Sequence, residues 1–295
     1  MYVADAGFGA LRRTPRDPDL RSVPGFAGFG AHFTVVGGTT TTPLTSIKSK
    51  VIKGTMAPTA VEMTALQQQA VGAFVDDNDH PFCTGTLITP HVVLSAAHCG
   101  VQVGDRFVIG ADAAKPDAFA YVAAVVRDSR WAQTSYDHQL ALLDRDLAVE
   151  PLPLAPDPPV VGQTVQGVGY GMTDPAASGN TQRWWTAEPI EAVSDRWIGI
   201  DGQGRHGLCL GDSGGPLLVP GPAIAGTVSQ GAASCTGEDL YSRPDPAWVA
   251  HVLAGWASVG RTPPTPLRAW LPTAVGILGV GVAVGLVVAA IRSRR

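Results

Sequence analysis

The chain has 295 residues, a formal net charge of −4 and 45% hydrophobic residues, enough for one large domain with appendages. No basic run lies in its body, so nucleic-acid binding has no electrostatic footprint. Its 35 glycines and 24 prolines, with few long periodic stretches, point away from a helical bundle and toward short strands and turns.

Residues 1–50 mix Gly, Pro, Arg and Thr without periodicity and read as a mostly disordered pro-segment. No basic start followed by an apolar core of the secretory kind is visible there. Short β-type runs then recur at Ala70–Val75, His91–Leu94, Phe107–Ile109 and Val122–Val126, the pattern of an all-β barrel. The second run leads into Ser95-Ala96-Ala97-His98-Cys99, which sets a histidine at the end of an apolar strand. Another apolar run, Leu140–Leu143, follows Gln139, with Asp137 two residues earlier. In Gly211-Asp212-Ser213-Gly214-Gly215 a serine sits in a glycine-cramped turn. Serine is a poor nucleophile at neutral pH and needs a nearby base, for which His98 is the candidate. The glycines permit close substrate approach and turn angles that other residues resist. The N–H groups of Gly211 and Ser213 can point the same way and hold a developing oxyanion.

Asp245-Pro246 reads as a helix start, an acid at the cap and Pro at the first helical position. Trp248, Val249, Val252, Leu253 and Trp256 then share one face. Residues 259–270 form a Pro/Thr-rich linker. Leu271–Ile291 carries no charge and is long enough to span the hydrocarbon core as a helix. Trp270 at its outer edge and the basic tail 292–295 orient it with the body of the chain outside the membrane. Between these flanks, residues 51–258 hold the His98 and Ser213 motifs. The four cysteines, Cys83, Cys99, Cys209 and Cys235, allow three pairings. No C-x-x-C pair exists, so no zinc site, and no other metal or cofactor, is expected.

At the His98 and Ser213 motifs, with His before Ser, the chain resembles the trypsin/chymotrypsin family of serine proteases from about Val51 to Ala257. The tail resembles bacterial C-terminal sorting signals. The resemblance implies an all-β fold of two six-stranded antiparallel β-barrels with a C-terminal helix, to which the transmembrane helix is added. It pairs Cys83 with Cys99 and Cys209 with Cys235, hence an oxidising compartment and a secreted, periplasmic or cell-surface protein. It makes Ser213 the nucleophile and His98 the base of a monomeric endopeptidase acting on proteins or peptides. Activation in the family frees an apolar N-terminus. Val51-Ile52-Lys53-Gly54 after Lys50 fits better than Val35-Val36-Gly37-Gly38, and the new ammonium would pair with a buried Asp212.

Two departures stand out. The family puts an aspartate directly before the strand that Gln139 precedes here. A glutamine oxygen can keep the histidine tautomer but brings no charge, and Asp137 can substitute only if the chain bulges or shifts. The outcomes are a slow protease using Gln139, a repaired one using Asp137, or an inactive homologue that binds proteins. In the primary pocket, Gly207 stands where trypsin-like members carry a carboxylate, six residues before the serine. Asp239, two before Tyr241, stands where many have glycine. A buried Asp239 would select Lys or Arg before the cut; a solvent-facing one would leave Leu208 and Leu210 to favour small or apolar side chains. Ser229, Gln230 and Gly231 match the short strand that pairs with substrate backbone, with Gln230 replacing the usual aromatic.

Overall fold

The computed structural model describes residues 2–3, 12–13, 54–131, 135–173 and 179–258. The Lys50–Val51 cleavage point, the linker, the predicted membrane helix and the basic tail lie outside them. So does the pro-segment, apart from an antiparallel pairing of Tyr2–Val3 with Arg12–Arg13. Among the described residues no helix is long and apolar enough to cross a membrane.

The apolar, β-branched runs pair as antiparallel strands. β1 (Val71–Val75), β2 (Pro81–Thr89), β3 (Val92–Ser95), β4 (Arg106–Ile109), β5 (Ala118–Arg127) and β6 (Gln139–Leu143) close into a barrel in the order β1-β2-β3-β6-β5-β4. Closure needs small residues where large rings fill the interior. A side chain on Gly72 or Gly85 would run into Phe107, and one on Gly85 also into Phe74 and Val93. Those two phenylalanine rings lie 5.0 Å apart and fully buried. Register shifts at Phe74/Val75, Leu87/Thr89 and Val122/Ala124 bend the strands round the barrel.

The second half contains β7 (Thr164–Gly169), β8 (Trp184–Pro189), β9 (Ala192–Val193), β10 (Trp197–Asp201), β11 (Pro216–Val219), β12 (Ala223–Gln230) and β13 (Glu238–Ser242). They pair in the order β8-β7-β11-β12-β13-β10-β9. This corrects the expected six-stranded second barrel. The chain turns back at Ser194–Trp197 and pairs Ala192 with Gly199 and Val193 with Ile198, adding a seventh, two-residue strand.

A short helix absent from the sequence reading, α1 (Ala65–Gln69), is held by a capping box between Thr64 and Gln67. The expected C-terminal helix is α2 (Pro246–Ser258). Asp245 caps it, its Oδ1 accepting from Ala247 N at 2.9 Å. Val249 and Val252 pack into the same hydrophobic cluster as Leu87, Leu94 and Leu140 of the barrel.

Candidate active site

The histidine is placed by a change of backbone state. β3 is wholly buried, Ala96 stays extended, and a single 3-10 turn, Ala97–Cys99, ends on Gly100 in the left-handed region at φ 66. This lifts His98 off the strand end with its side chain 20% exposed. Ser95 Oγ donates to Thr84 O at 2.8 Å and holds the strand end against β2. Cys83 and Cys99 form a disulfide across the same corner.

The carboxylate beside His98 belongs to Asp137. Its Oδ2 lies 2.6 Å from His98 Nδ1, and its Oδ1 accepts the His98 backbone N–H at 2.9 Å. Ser229 Oγ donates to the same Oδ2 at 2.6 Å. Asp137 is 1% exposed, so three donors replace the water its charge has lost. Because the carboxylate only accepts, His98 carries its proton on Nδ1 and leaves Nε2 free to act as base.

Gln139 does not take this place. It pairs with Ser95 and Arg127 in the ladder. Its side chain is fully buried, and neither amide atom has a hydrogen-bond partner. The reason is a turn before β6. Tyr136 adopts φ 55, and His138 N bonds back to Tyr136 O at 2.7 Å, which swings Asp137 under the imidazole. Of the two candidates, Gln139 and an Asp137 brought in by a bulge or shift, the second is the one found beside His98, and His138 and Gln139 occupy buried positions despite their polarity. Burying a partnerless amide is costly. Gln139→Leu is therefore expected to raise stability by about 1–3 kcal/mol in denaturant titrations.

The serine loop runs from Gly207 to Gly215, with Gly207, Gly211 and Gly214 at φ 148, 101 and 78. A side chain on Gly214 would strike Ser95, Thr84 O and Ala96 N. Glycine thus lets the loop lie directly on the turn that carries His98. Thr84 N donates to Ser213 O at 2.8 Å and Thr84 Oγ1 to Gly211 O at 2.9 Å. Thr84 Oγ1 also accepts from Tyr170 N at 3.1 Å. Thr84 is thus a positioning residue that no sequence motif marked. Among the described residues, the N–H groups of Gly211 and Ser213 donate to no protein acceptor. His98 and Ser213 share no direct hydrogen bond; their loops are joined through backbone contacts, and such bonds commonly tighten only when substrate arrives.

Asp212 is completely buried. It accepts from Gly171 N at 2.7 Å and Cys209 N at 2.8 Å. Burial pushes its pKa up to about 6 against the pull of those two N–H groups. The Cys209–Cys235 disulfide ties the start of this loop to the segment before β13.

Asp239 is 1% exposed, so it does not face solvent. Its Oδ2 accepts Leu208 N at 2.9 Å, while Oδ1 has no partner. A Cβ on Gly207 would lie 3.2 Å from Oδ2 and one on Gly231 2.8 Å from Oδ1. The carboxylate thus lies between the two glycines, and burial pushes its pKa well up, with Glu188 adding to the effect. Glu188 is itself buried, and only its Oε1 is satisfied, by Thr186 at 2.9 Å. No pattern in the sequence singled it out. Leu210, by contrast, is 60% exposed.

A family model described as Trypsin matches residues 60–247, more than half of the chain. The chain belongs to the trypsin family. Trypsin-family relatives include an alpha-fibrinogenase-like protein of Daboia siamensis, 28% identical over 214 residues, covering 62% of this chain and 82% of the relative. Brachyurin of Leptuca pugilator is 31% identical over 187 residues, covering 55% and 80%. Among solved structures, human heparin binding protein superposes with a TM-score of 0.57 at 20% identity, over 68% of this chain and 96% of that one. This last likeness bears on the fold alone. Trypsin-family membership and these protease relatives support a serine endopeptidase.

Proposed function

We propose that this trypsin-family protein is an active serine endopeptidase whose triad is Ser213, His98 and Asp137. The observation carrying this reading is the Asp137 carboxylate, bound at once by His98 Nδ1, His98 N and Ser229 Oγ. Ser213 Oγ attacks the peptide carbonyl and passes its proton to His98 Nε2. The oxyanion forms against the N–H groups of Gly211 and Ser213. His98 then protonates the departing amine, leaving an acyl-enzyme that water hydrolyses by the reverse sequence. Asp137 holds the tautomer and stabilises the imidazolium. Ser229 and Gly231 receive the substrate backbone. Gly207 and Asp239 line the base of the primary pocket, and the unpartnered Asp239 oxygen favours Lys or Arg before the cut. A fluorophosphonate probe tests the reading. Ser213 should be labelled in the processed chain, and labelling should fall sharply in His98→Ala. No labelling of the processed chain would favour a protein-binding homologue.

We further propose that cleavage after Lys50 starts the mature domain at Val51, whose ammonium pairs with Asp212. Two disulfides favour an extracytoplasmic protein, and Leu271–Ile291 would tether it to the membrane. The activation step has a pH signature. In the uncleaved chain the Asp212 pKa is raised from 3.8 to about 6. The folded state then holds a proton that the unfolded state releases, so stability falls as pH rises between these values. A shift of that size corresponds to roughly 3 kcal/mol. With an ammonium beside it the folded pKa drops below 3.8, so stability is full above that value and lost as pH falls through the folded pKa. Between 3.8 and about 6 denaturant midpoints should therefore fall with rising pH before cleavage and stay flat after it, the cleaved protein losing stability only below 3.8.

A further inference from the structure

We infer that His138 is a positioning residue that sets Asp137 in register against the second half of the molecule; the inference rests on the protease reading above. Thr227 and Ser229 lie two apart on β12, where a register shift between Val228 and Gln230 interrupts the pairing with β13. Ser229 Oγ reaches Asp137 Oδ2 at 2.6 Å, and Thr227 Oγ1 reaches Nδ1 of the next residue, His138, at 3.1 Å. One strand thus grips two consecutive residues of the acid-bearing turn. On the far side of the ring, Nε2 lies 2.9 Å from Arg243 O and 3.0 Å from Ser242 Oγ.

These contacts fix the protons. Arg243 O can only accept, so Nε2 carries the hydrogen; complete burial disfavours a second proton, so Nδ1 accepts from the Thr227 hydroxyl, which also lies 3.5 Å from Ser242 O. The ring is therefore neutral, in keeping with its complete burial, which pushes its pKa down. The charged groups acting on it are Asp137, Asp128 and Arg130, with the Arg243 backbone at Nε2. Its own backbone belongs to the barrel: His138 O accepts from Asp128 N at 3.0 Å, and His138 N donates to Tyr136 O. The main chain is anchored in one half and the imidazole in the other. An apolar residue could fill this space, but it could not register the turn against β12.

A merely structural histidine would alter stability alone, whereas a positioning one alters the His98–Asp137 bond. In the processed protein, His138→Leu should lower kcat on a peptide ester by up to about 10²-fold with KM little changed, as a displacement of about 1 Å of a catalytic group can cost. The acid limb of the kcat/KM profile should move to lower pH, because a displaced Asp137 stabilises the His98 imidazolium less. His138→Asn keeps an acceptor near the Nδ1 position and should recover part of the loss. Thr227→Val, nearly isosteric, should show a weaker form of the same defect and add nothing to His138→Leu. The downfield proton resonance of His98 Nδ1–H reads the same geometry without turnover. It should shift or broaden in Thr227→Val even if the unaltered protein proves inactive. An unchanged resonance in folded Thr227→Val, or unchanged kcat in folded His138→Leu, would overturn the assignment. Failure of the unaltered protein to label at Ser213 would sink the protease reading alone.

Discussion

Asp137→Asn is expected to reduce kcat by about 10⁴ while leaving the fold intact, the size of loss that an amide causes at the acid of a Ser-His-Asp triad. An asparagine can present its NH₂ to His98 Nδ1, which forces the wrong tautomer, and it supplies no charge to the imidazolium. The environment sharpens the effect. Three donors converge on the carboxylate. Gln139→Met is the control. The Gln139 side chain makes no hydrogen bond, so kcat should stay within about twofold, because no interaction specific to the transition state is removed. Steady-state kinetics on an ester substrate would check both. A large loss in Gln139→Met with little change in Asp137→Asn would reverse the assignment.

Asp239→Asn should shift the side chain preferred before the cut. Truncating one member of a buried charge pair costs about 2–5 kcal/mol. The kcat/KM for Lys and Arg substrates should therefore fall by about 10² or more. Substrates with apolar side chains there should lose far less. The pH dependence supplies a second check. Burial holds the Asp239 pKa well up, so a cationic side chain must displace a proton on entering. Discrimination in favour of Lys and Arg should strengthen as pH rises through that pKa and disappear in Asp239→Asn. Identical preferences in the unaltered and Asp239→Asn proteins would remove the carboxylate from the pocket. The neutral walls would then decide selectivity.

The parts of this site legible in the sequence are those where backbone geometry demands particular residues. The glycines round Ser213 are forced by positive φ and by contact with Ser95 and Ala96. The Asp245-Pro246 helix start follows from capping chemistry, and α2 begins at Pro246. The runs at Ala70–Val75 and His91–Leu94 correspond to β1 and β3 within one residue at each end, but Val122–Val126 marked only part of β5, which runs from Ala118 to Arg127. What stayed hidden was set by tertiary contacts. The acid's position depends on a turn at Tyr136, whose φ of 55 no local signal announced. The buried polar run His138-Gln139 masked the start of β6, because hydrophobic patterning cannot distinguish a polar residue matched by a distant strand from one facing water. Thr227 and Ser242, which satisfy His138, lie on strands far along the chain. The two-residue β9 was beyond any pattern, being too short to have a period.

The arrangement of the sheets bears on how the fold avoids pairing with other chains. A strand border with unpaired N–H and C=O groups is a template on which another chain can pair. The closed barrel offers none. In the seven-membered sheet one outer border terminates at Pro189 and the other is only two residues long. The first of these borders is also bridged by Thr55 at Trp185, so little open ladder remains for another chain to extend.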